Sequence, residues 1–457
     1  MRVYSAAAVC TNFIYRFATV MDLVSAQLPV ESEDTIRVAP VRSLDNQGPI
    51  EFCVPAHPTA LTDLRESFLS VSLSVKRAGK PIVHRTGLTE SNLVDPDSIT
   101  EWATPPTGST AGEDANLSCV NNLMHSLFGE VHVYLNEVEL ERQSDYWLAA
   151  FTQVKTGFDR EHKESALEYL FGWYDDEAGA YSAKTNSAHA KRQKHLLLNG
   201  KTVHFKARLQ LGMMSMPAYL PNHTSLKIVM HRKNASLPLI WIDAQVAKPD
   251  GDYAIDISHA EFETRRVNLL PSVLADYERE FGPKKLGRFS FTKTECKAFT
   301  IPASGNDVTL DNMFTGPMPE TVTICLLPNK AYHGHLDTNP FDFGHYDMNF
   351  AVLQGNGVLY PAPNGYDRMQ LKTSNRFADA YLNLFRIHPH GITRSDFVKG
   401  GFMLPFQLHS SGKTGVVTGR FKFDSPLPEA MTLVALATYT VEFVVDSLRN
   451  VNYNYIP

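Results

Sequence analysis

Cysteine is scarce: Cys10, Cys53, Cys119, Cys296 and Cys325 are all there are in 457 residues, an odd number with no C-x-x-C pair. That spacing suggests neither a disulfide framework nor a zinc site, and a reducing compartment suits it best. No apolar run approaches the roughly 18 residues that a membrane-spanning helix requires. Charge of one sign is also lacking: the net charge is −6, which argues against a protein that grips nucleic acid through its overall field. Neither a G-x-S-x-G elbow nor a G-x-x-x-x-G-K-[ST] phosphate loop is present, and no segment repeats another residue for residue. With 43% hydrophobic and 20% charged residues the chain is ordinary globular material. Its length calls for two domains of about 200 residues each.

What is present is alternation. Over Thr202 to Leu211, the residues Val203, Phe205, Ala207, Leu209 and Leu211 face one way while His204, Lys206, Arg208 and Gln210 face the other, the period of a half-buried strand. Similar runs cover Glu130 to Asn136, Ser225 to His231, Tyr253 to Ile257, Thr321 to Leu327, Asp347 to Leu353 and Gly415 to Phe423. The longest is Met431 to Val445, with Leu433, Ala435, Ala437, Tyr439, Val441, Phe443 and Val445 on one face. Asn199-Gly200, Asp250-Gly251, Gly355-Asn356-Gly357 and Asn364-Gly365 supply turns that need positive φ. Helical patterns are few: Ser144 to Thr156, Lys163 to Leu170, Ser272 to Phe281, and Ser374 to Arg386. The expectation is an all-β, mostly antiparallel protein with short helices as loop decorations. Residues 92–118 and 175–200 read as irregular, exposed loops. Residues 1–34 read as an N-terminal arm or an upstream extension before Met21, two readings that the pattern leaves open, and Asn450 to Pro457 read as a C-terminal arm. The two halves divide near Leu270-Pro271, giving units 35–269 and 270–457.

Several segments carry a resemblance. VNNLMHSLFGEVHVYLNEVEL and the stretch ending in FGWYDDEAGAY (Val120 to Tyr181), ETRRVNLLPSV (Glu261 to Val273), the run Glu295 to Leu327, NPFDFGHYDMNFAVLQGNG (Asn339 to Gly357), RSDFVKGGFMLPFQL (Arg394 to Leu408) and the closing run Pro426 to Tyr455 are similar to the major capsid proteins of Polinton-type elements and adintoviruses. The resemblance implies a double jelly roll: two tandem eight-stranded β-barrels in one chain, assembling as a homotrimer. Six barrels around one three-fold axis make a block with a near-hexagonal footprint, which tiles an icosahedral shell around a double-stranded DNA genome. It further implies that the partners are the chain itself and neighbouring capsomers, a single jelly-roll minor capsid (penton) protein, and packaged DNA only indirectly. The location is then the virion, with assembly in the host nucleus or cytoplasm, and the arms at either end tie one capsomer to the next.

The sequence assigns no catalytic, cofactor or metal residue. His333-Gly334-His335-Leu336-Asp337 starts like a dinuclear metallohydrolase motif, but Thr338 stands where a further His is needed, so a surface loop is favoured. His388-Pro389-His390 reads as a rigid turn with solvent-facing histidines. Asp175, Asp176 and Glu177 read as a solvated acidic turn. Lys191-Arg192-Gln193-Lys194-His195 and Lys284-Lys285-Leu286-Gly287-Arg288 read as solvated basic loops, ahead of an inner face toward DNA or a docking surface for a minor capsid protein. The sequons at Asn116, Asn222 and Asn234 read as chance. The rival functions are a carbohydrate-binding or hydrolytic β-sandwich, a minor capsid protein, and a domesticated host copy that no longer assembles.

Overall fold

Strands with one apolar face must close on one another, and in this chain they do so twice. The computed structural model describes residues 30–44, 48–99, 108–280, 286–371, 376–388, 390–408 and 413–454. The first set is β1 (Val30–Val38), β2 (Ile50–Val54), β3 (Ala60–Arg77), β4 (Phe128–Leu135), β5 (Val138–Ser144), β6 (Val203–Ala207), β7 (Leu226–Arg232) and β8 (Tyr253–Leu269). It forms two facing sheets with strand orders β1-β8-β3-β6 and β2-β7-β4-β5. The second set is β9 (Gly287–Ile301), β10 (Asp307–Pro317), β11 (Thr321–Pro328), β12 (Met348–Gly355), β13 (Val358–Tyr360), β14 (Leu404–Gln407), β15 (Thr414–Phe423) and β16 (Met431–Val445). Its sheets run β9-β16-β11-β14 and β10-β15-β12-β13. Adding eight to each strand number of the first barrel reproduces the second, so the duplication absent from the residues is present in the topology. Each set is a jelly roll, and the chain is a double jelly roll.

The equivalence extends to one turn. β12 and β13 are joined by Asn356-Gly357, both at positive φ, the two-residue reversal that matches strand twist. β4 and β5 are joined at the corresponding place by Asn136-Glu137, also both at positive φ. The second lacks glycine, which is why the sequence did not flag it.

The strand expectations are met with shifted ends. β16 spans Met431–Val445 as expected, and the alternate residues from Leu433 to Val445 are all buried. β6 is shorter than its pattern, ending at Ala207, although Leu209 and Leu211 stay buried beyond it. The helix expected over Lys163 to Leu170 is two pieces, Arg160–Lys163 and Ala166–Phe171, the first begun by the Asp159 side chain, which accepts from the His162 N–H. Helix α1 (Tyr146–Gly157) follows β5, α2 (Pro271–Glu280) joins the barrels, and α3 (Ala378–Ile387) lies in a loop of the second.

The expected termini need correction. Residues 30–34 are strand rather than arm, and residues 1–29 lie outside the described residues, Cys10 among them. At the other end, β17 (Val451–Asn454) folds back and pairs antiparallel with β16, Val451 opposite Val445 and Asn454 opposite Glu442. The reversal is pinned by Asp446, whose carboxylate accepts from the backbone N–H groups of Leu448 and Asn450 at 2.8 Å each. A segment already paired to its own barrel cannot reach a neighbour, so only residues 455–457, outside the described range, are left of the expected C-terminal arm.

The burial of β16 gives a direct test. Val441 is fully buried and Thr440 is exposed on the opposite face. Val441→Asp should cost more than about 4 kcal/mol and yield no soluble chain, whereas Thr440→Asp should stay within about 0.5 kcal/mol of wild type by chemical denaturation. Equal behaviour of the two variants would overturn the register.

Candidate functional site

The element packed between the two barrels is α1. Its sequence, YWLAAFTQVKTG, has no polar face, and ten of its twelve residues are buried, which places it between two layers rather than on a surface. One side packs on its own barrel, where the Tyr146 hydroxyl meets His125 Nδ1 at 2.8 Å and accepts from the Gln210 N–H at 3.0 Å. The other side meets the second barrel. Phe151 stacks on Phe341 with ring centroids 3.9 Å apart and planes 8° from parallel, and Trp147 packs against Phe341 and Tyr332. Gln153 donates to the Thr294 hydroxyl on β9 at 3.3 Å.

A second contact needs a glycine. A Cβ on Gly212 would lie 2.0 Å from the carbonyl oxygen of Thr292 on β9, so no other residue lets the 212 turn approach the second barrel. That turn is fixed by Glu141 on β5, whose carboxylate accepts from the N–H groups of Gly212 and Met213 at 2.8 Å each. Burial pushes the Glu141 carboxyl up to about 7 against the pull of those two N–H groups.

Polar groups in this seam are paired across it. Lys155, on α1, reaches Asp175 at 3.2 Å and Asp396 of the second barrel at 2.8 Å. Burial alone would pull its ammonium down, but Tyr181, Asp175 and Asp396 together hold it well above its ordinary range. Tyr181 donates to Asp396 at 2.6 Å, and its carbonyl accepts from Asn339 at 3.0 Å. Deeper in, Arg192 is ion-paired with Asp176, both side chains almost wholly buried, and also donates to the carbonyls of Cys119 and Tyr174 at 2.9 and 3.1 Å. Asn186 donates to the same carboxylate at 2.7 Å.

These contacts correct two expectations at once. Within the acidic turn Asp175 and Glu177 are exposed as expected but Asp176 is buried, and Arg192 is not part of a solvated basic loop; Asp176 and Arg192 are two halves of one buried pair, brought together because residues 187–197 are helical rather than irregular. Lys191, Lys194 and His195 stay at the surface, lining an open cleft with Glu168 and Tyr174, and Tyr174 stacks on His195. Of the other basic run, residues 284 and 285 lie outside the described residues. His333 and His335 are exposed, and Asp337 is held by Lys248 at 2.6 Å. His388 is half-buried rather than solvent-facing, with Thr323 at 3.4 Å and burial lowering its pKa to about 4; Pro389 lies outside the described residues. Asn222 is 2% exposed and bonded to Arg449 and Glu278, which leaves no room for a glycan there. Among the described residues, no helix is long and apolar enough to cross a membrane. The seam therefore offers adhesion between barrels: its acids and bases neutralise one another, which is a structural use of charge.

No protein-family model matches the chain. A curated relative, uncharacterized protein F54H12.2 of Caenorhabditis elegans, is 20% identical over 431 residues, covering 88% of this chain and 93% of that protein. Among solved structures, a chain of the Sputnik virophage aligns over 95% of this chain and 90% of its own, with TM-score 0.62 and 10% identity. The Faustovirus major capsid protein aligns over 99% of each chain, with TM-score 0.55 and 10% identity. The strand order and these full-length superpositions define the class: a double jelly-roll protein with the fold of viral major capsid proteins.

Two measurements test the seam. Arg192→Ala leaves Asp176 buried and unpaired and should lower unfolding stability by about 3–5 kcal/mol in urea, while replacing Arg192 by Met together with Asp176 by Leu should recover most of that loss. The second concerns pH. Burial, with the neighbouring Asp176 charge, pushes the Asp342 carboxyl up to about 7. An acid whose folded pKa lies above its unfolded value contributes most while protonated in both states, so its contribution is full below about pH 4 and falls away as pH rises through about 7. The melting temperature of wild type should therefore fall between about pH 5 and about pH 8 relative to that of Asp342→Asn. Parallel pH profiles would sink this assignment.

Proposed function

We propose that the chain is a major capsid protein, forming homotrimeric, pseudo-hexagonal capsomers that build an icosahedral shell around double-stranded DNA. The observation that carries this reading is the full-length match of both barrels to the Faustovirus major capsid protein, over 99% of each chain. In this reading the units are the first barrel, from β1 at Val30 to residue 269, and residues 270–457, with α2 as the connector, and the protein is not an enzyme. Its partners are further copies of itself and a single jelly-roll minor capsid protein, it meets DNA only as packaged cargo, and it resides in the virion after assembly in the host nucleus or cytoplasm.

The sheet edges favour assembly. β10 runs for eleven residues with β15 on one side and, among the described residues, no strand on the other, and carries only Asp307 and Asp311 as charges. An open edge of that length and composition favours a protein neighbour over water. A Polinton or adintovirus source is favoured by the segments quoted above and by the relative in an animal, which is what an integrating element leaves behind. The same relative keeps a domesticated host copy as the second reading, one that retains the barrels without assembling.

Assembly separates the two. Sedimentation at micromolar concentration should give a species of three 51.1 kDa chains, with three-fold blocks by negative-stain microscopy. A monodisperse single chain would overturn the capsomer reading.

A further inference from the structure

On the outer wall of the first barrel, β4 turns Glu130, His132 and Tyr134 away from the core, because Val131, Val133 and Leu135 take the inward positions. The ladder sets His231 of β7 directly opposite Glu130, and Val229 opposite His132. Two imidazoles and a carboxylate therefore meet on one face from positions about a hundred residues apart in sequence. One donor atom from each of Glu130, His132 and His231 lies within 4.8 Å of the others.

His132 is unusual for an outward residue in being only 8% exposed. Its Nδ1 lies 2.9 Å from Glu139 Oε2. A carboxylate only accepts, so that nitrogen carries the proton, and the Tyr134 hydroxyl donates to the same oxygen at 2.9 Å. The other ring nitrogen, Nε2, is buried and has no hydrogen-bond partner, yet it points at Glu130 Oε1 3.5 Å away. That gap is too long for a good hydrogen bond. It matches the spacing of two ligands sharing one tetrahedral ion, each about 2.0–2.1 Å from the metal and hence about 3.3–3.4 Å from each other. The histidine with one nitrogen fixed by a carboxylate and the other aimed at a shared point is the arrangement of a metal-ligating imidazole with its outer-shell support.

We propose that Glu130, His132 and His231 bind a first-row transition-metal ion of the zinc class, with a water completing the coordination. Arg142 now donates to Glu130 Oε1 at 2.6 Å. Its side chain is 55% exposed and free to swing aside, and Glu130 has a second oxygen to offer. Three protein ligands with one open position leave the ion accessible from outside the barrel. This inference rests on side-chain geometry alone and holds whether or not the chain assembles.

The test is titration of untagged, chelator-treated full-length protein with zinc, in competition with a chromophoric chelator. One ion per chain is expected, and the cobalt-loaded protein should show the intense visible absorption of a tetrahedral site. His231→Ala, at an exposed position where folding is not at risk, and Glu130→Gln should each weaken zinc binding at least tenfold. Glu139→Gln, which removes the fixed tautomer of His132, should weaken it about tenfold. His335→Ala, in a loop elsewhere, should leave it unchanged. Failure to take up zinc stoichiometrically would mean that His132 is simply an imidazole hydrogen-bonded to Glu139, and would overturn the site. So would zinc binding that survives both His231→Ala and Glu130→Gln.

Discussion

A helix with no face for water fixes how the two barrels stand. Ten of the twelve residues of α1 are buried, and a segment of that kind has to be covered by protein all round. Its own barrel covers one side, and Phe341, Tyr332 and β9 of the other barrel cover the rest. The two jelly rolls are thus halves of one hydrophobic interior rather than beads on a linker. The buried residues of both form one contiguous cluster that includes Trp147, Phe151, Phe341 and Phe343.

Burying Lys155 in such a helix is affordable only because carboxylates reach it from both sides of the seam. Asp175 belongs to the first barrel's loops and Asp396 to the second's, so the ion pair is complete only when the barrels are correctly docked. Arg449 repeats this logic at another edge of the seam. It lies just before β17 and grips Glu278 of α2 with both oxygens at 2.9 Å and Asn222 of the first barrel at 2.6 Å. Apolar packing supplies the adhesion and the paired charges supply its register.

The strands were legible because each depends on a local period of two, and β16 shows this best: fifteen residues read from alternation coincide with fifteen residues of ladder. What escaped was whatever depends on neighbours distant in sequence. Asp176 and Arg192 sit sixteen residues apart in segments that look polar and irregular, and nothing local says that each is the other's counter-ion. The short Asn136-Glu137 turn escaped because its second residue is not glycine. Glu130, His132 and His231 were invisible as a group because E-x-H is common, and only the strand pairing of β4 with β7 sets His231 beside it. Motif reading turned to His333 and His335 instead, only to set them aside as a surface loop, since adjacency in sequence is what a motif records.

The strand order also sets a schedule for synthesis. β8 must insert between β1 and β3, so the first barrel stays open until its last strand has been made. Even then α1 is covered on one side only. Residues 332–343, which roof its other side, follow it by nearly two hundred positions, an interval of about 10–40 s at a translation rate of about 5–20 residues per second. For that time a tryptophan, a phenylalanine and a lysine destined for burial face the cell's solvent together. A chain built this way has a sticky adolescence written into its topology, one that ends only when the second roof of α1 arrives.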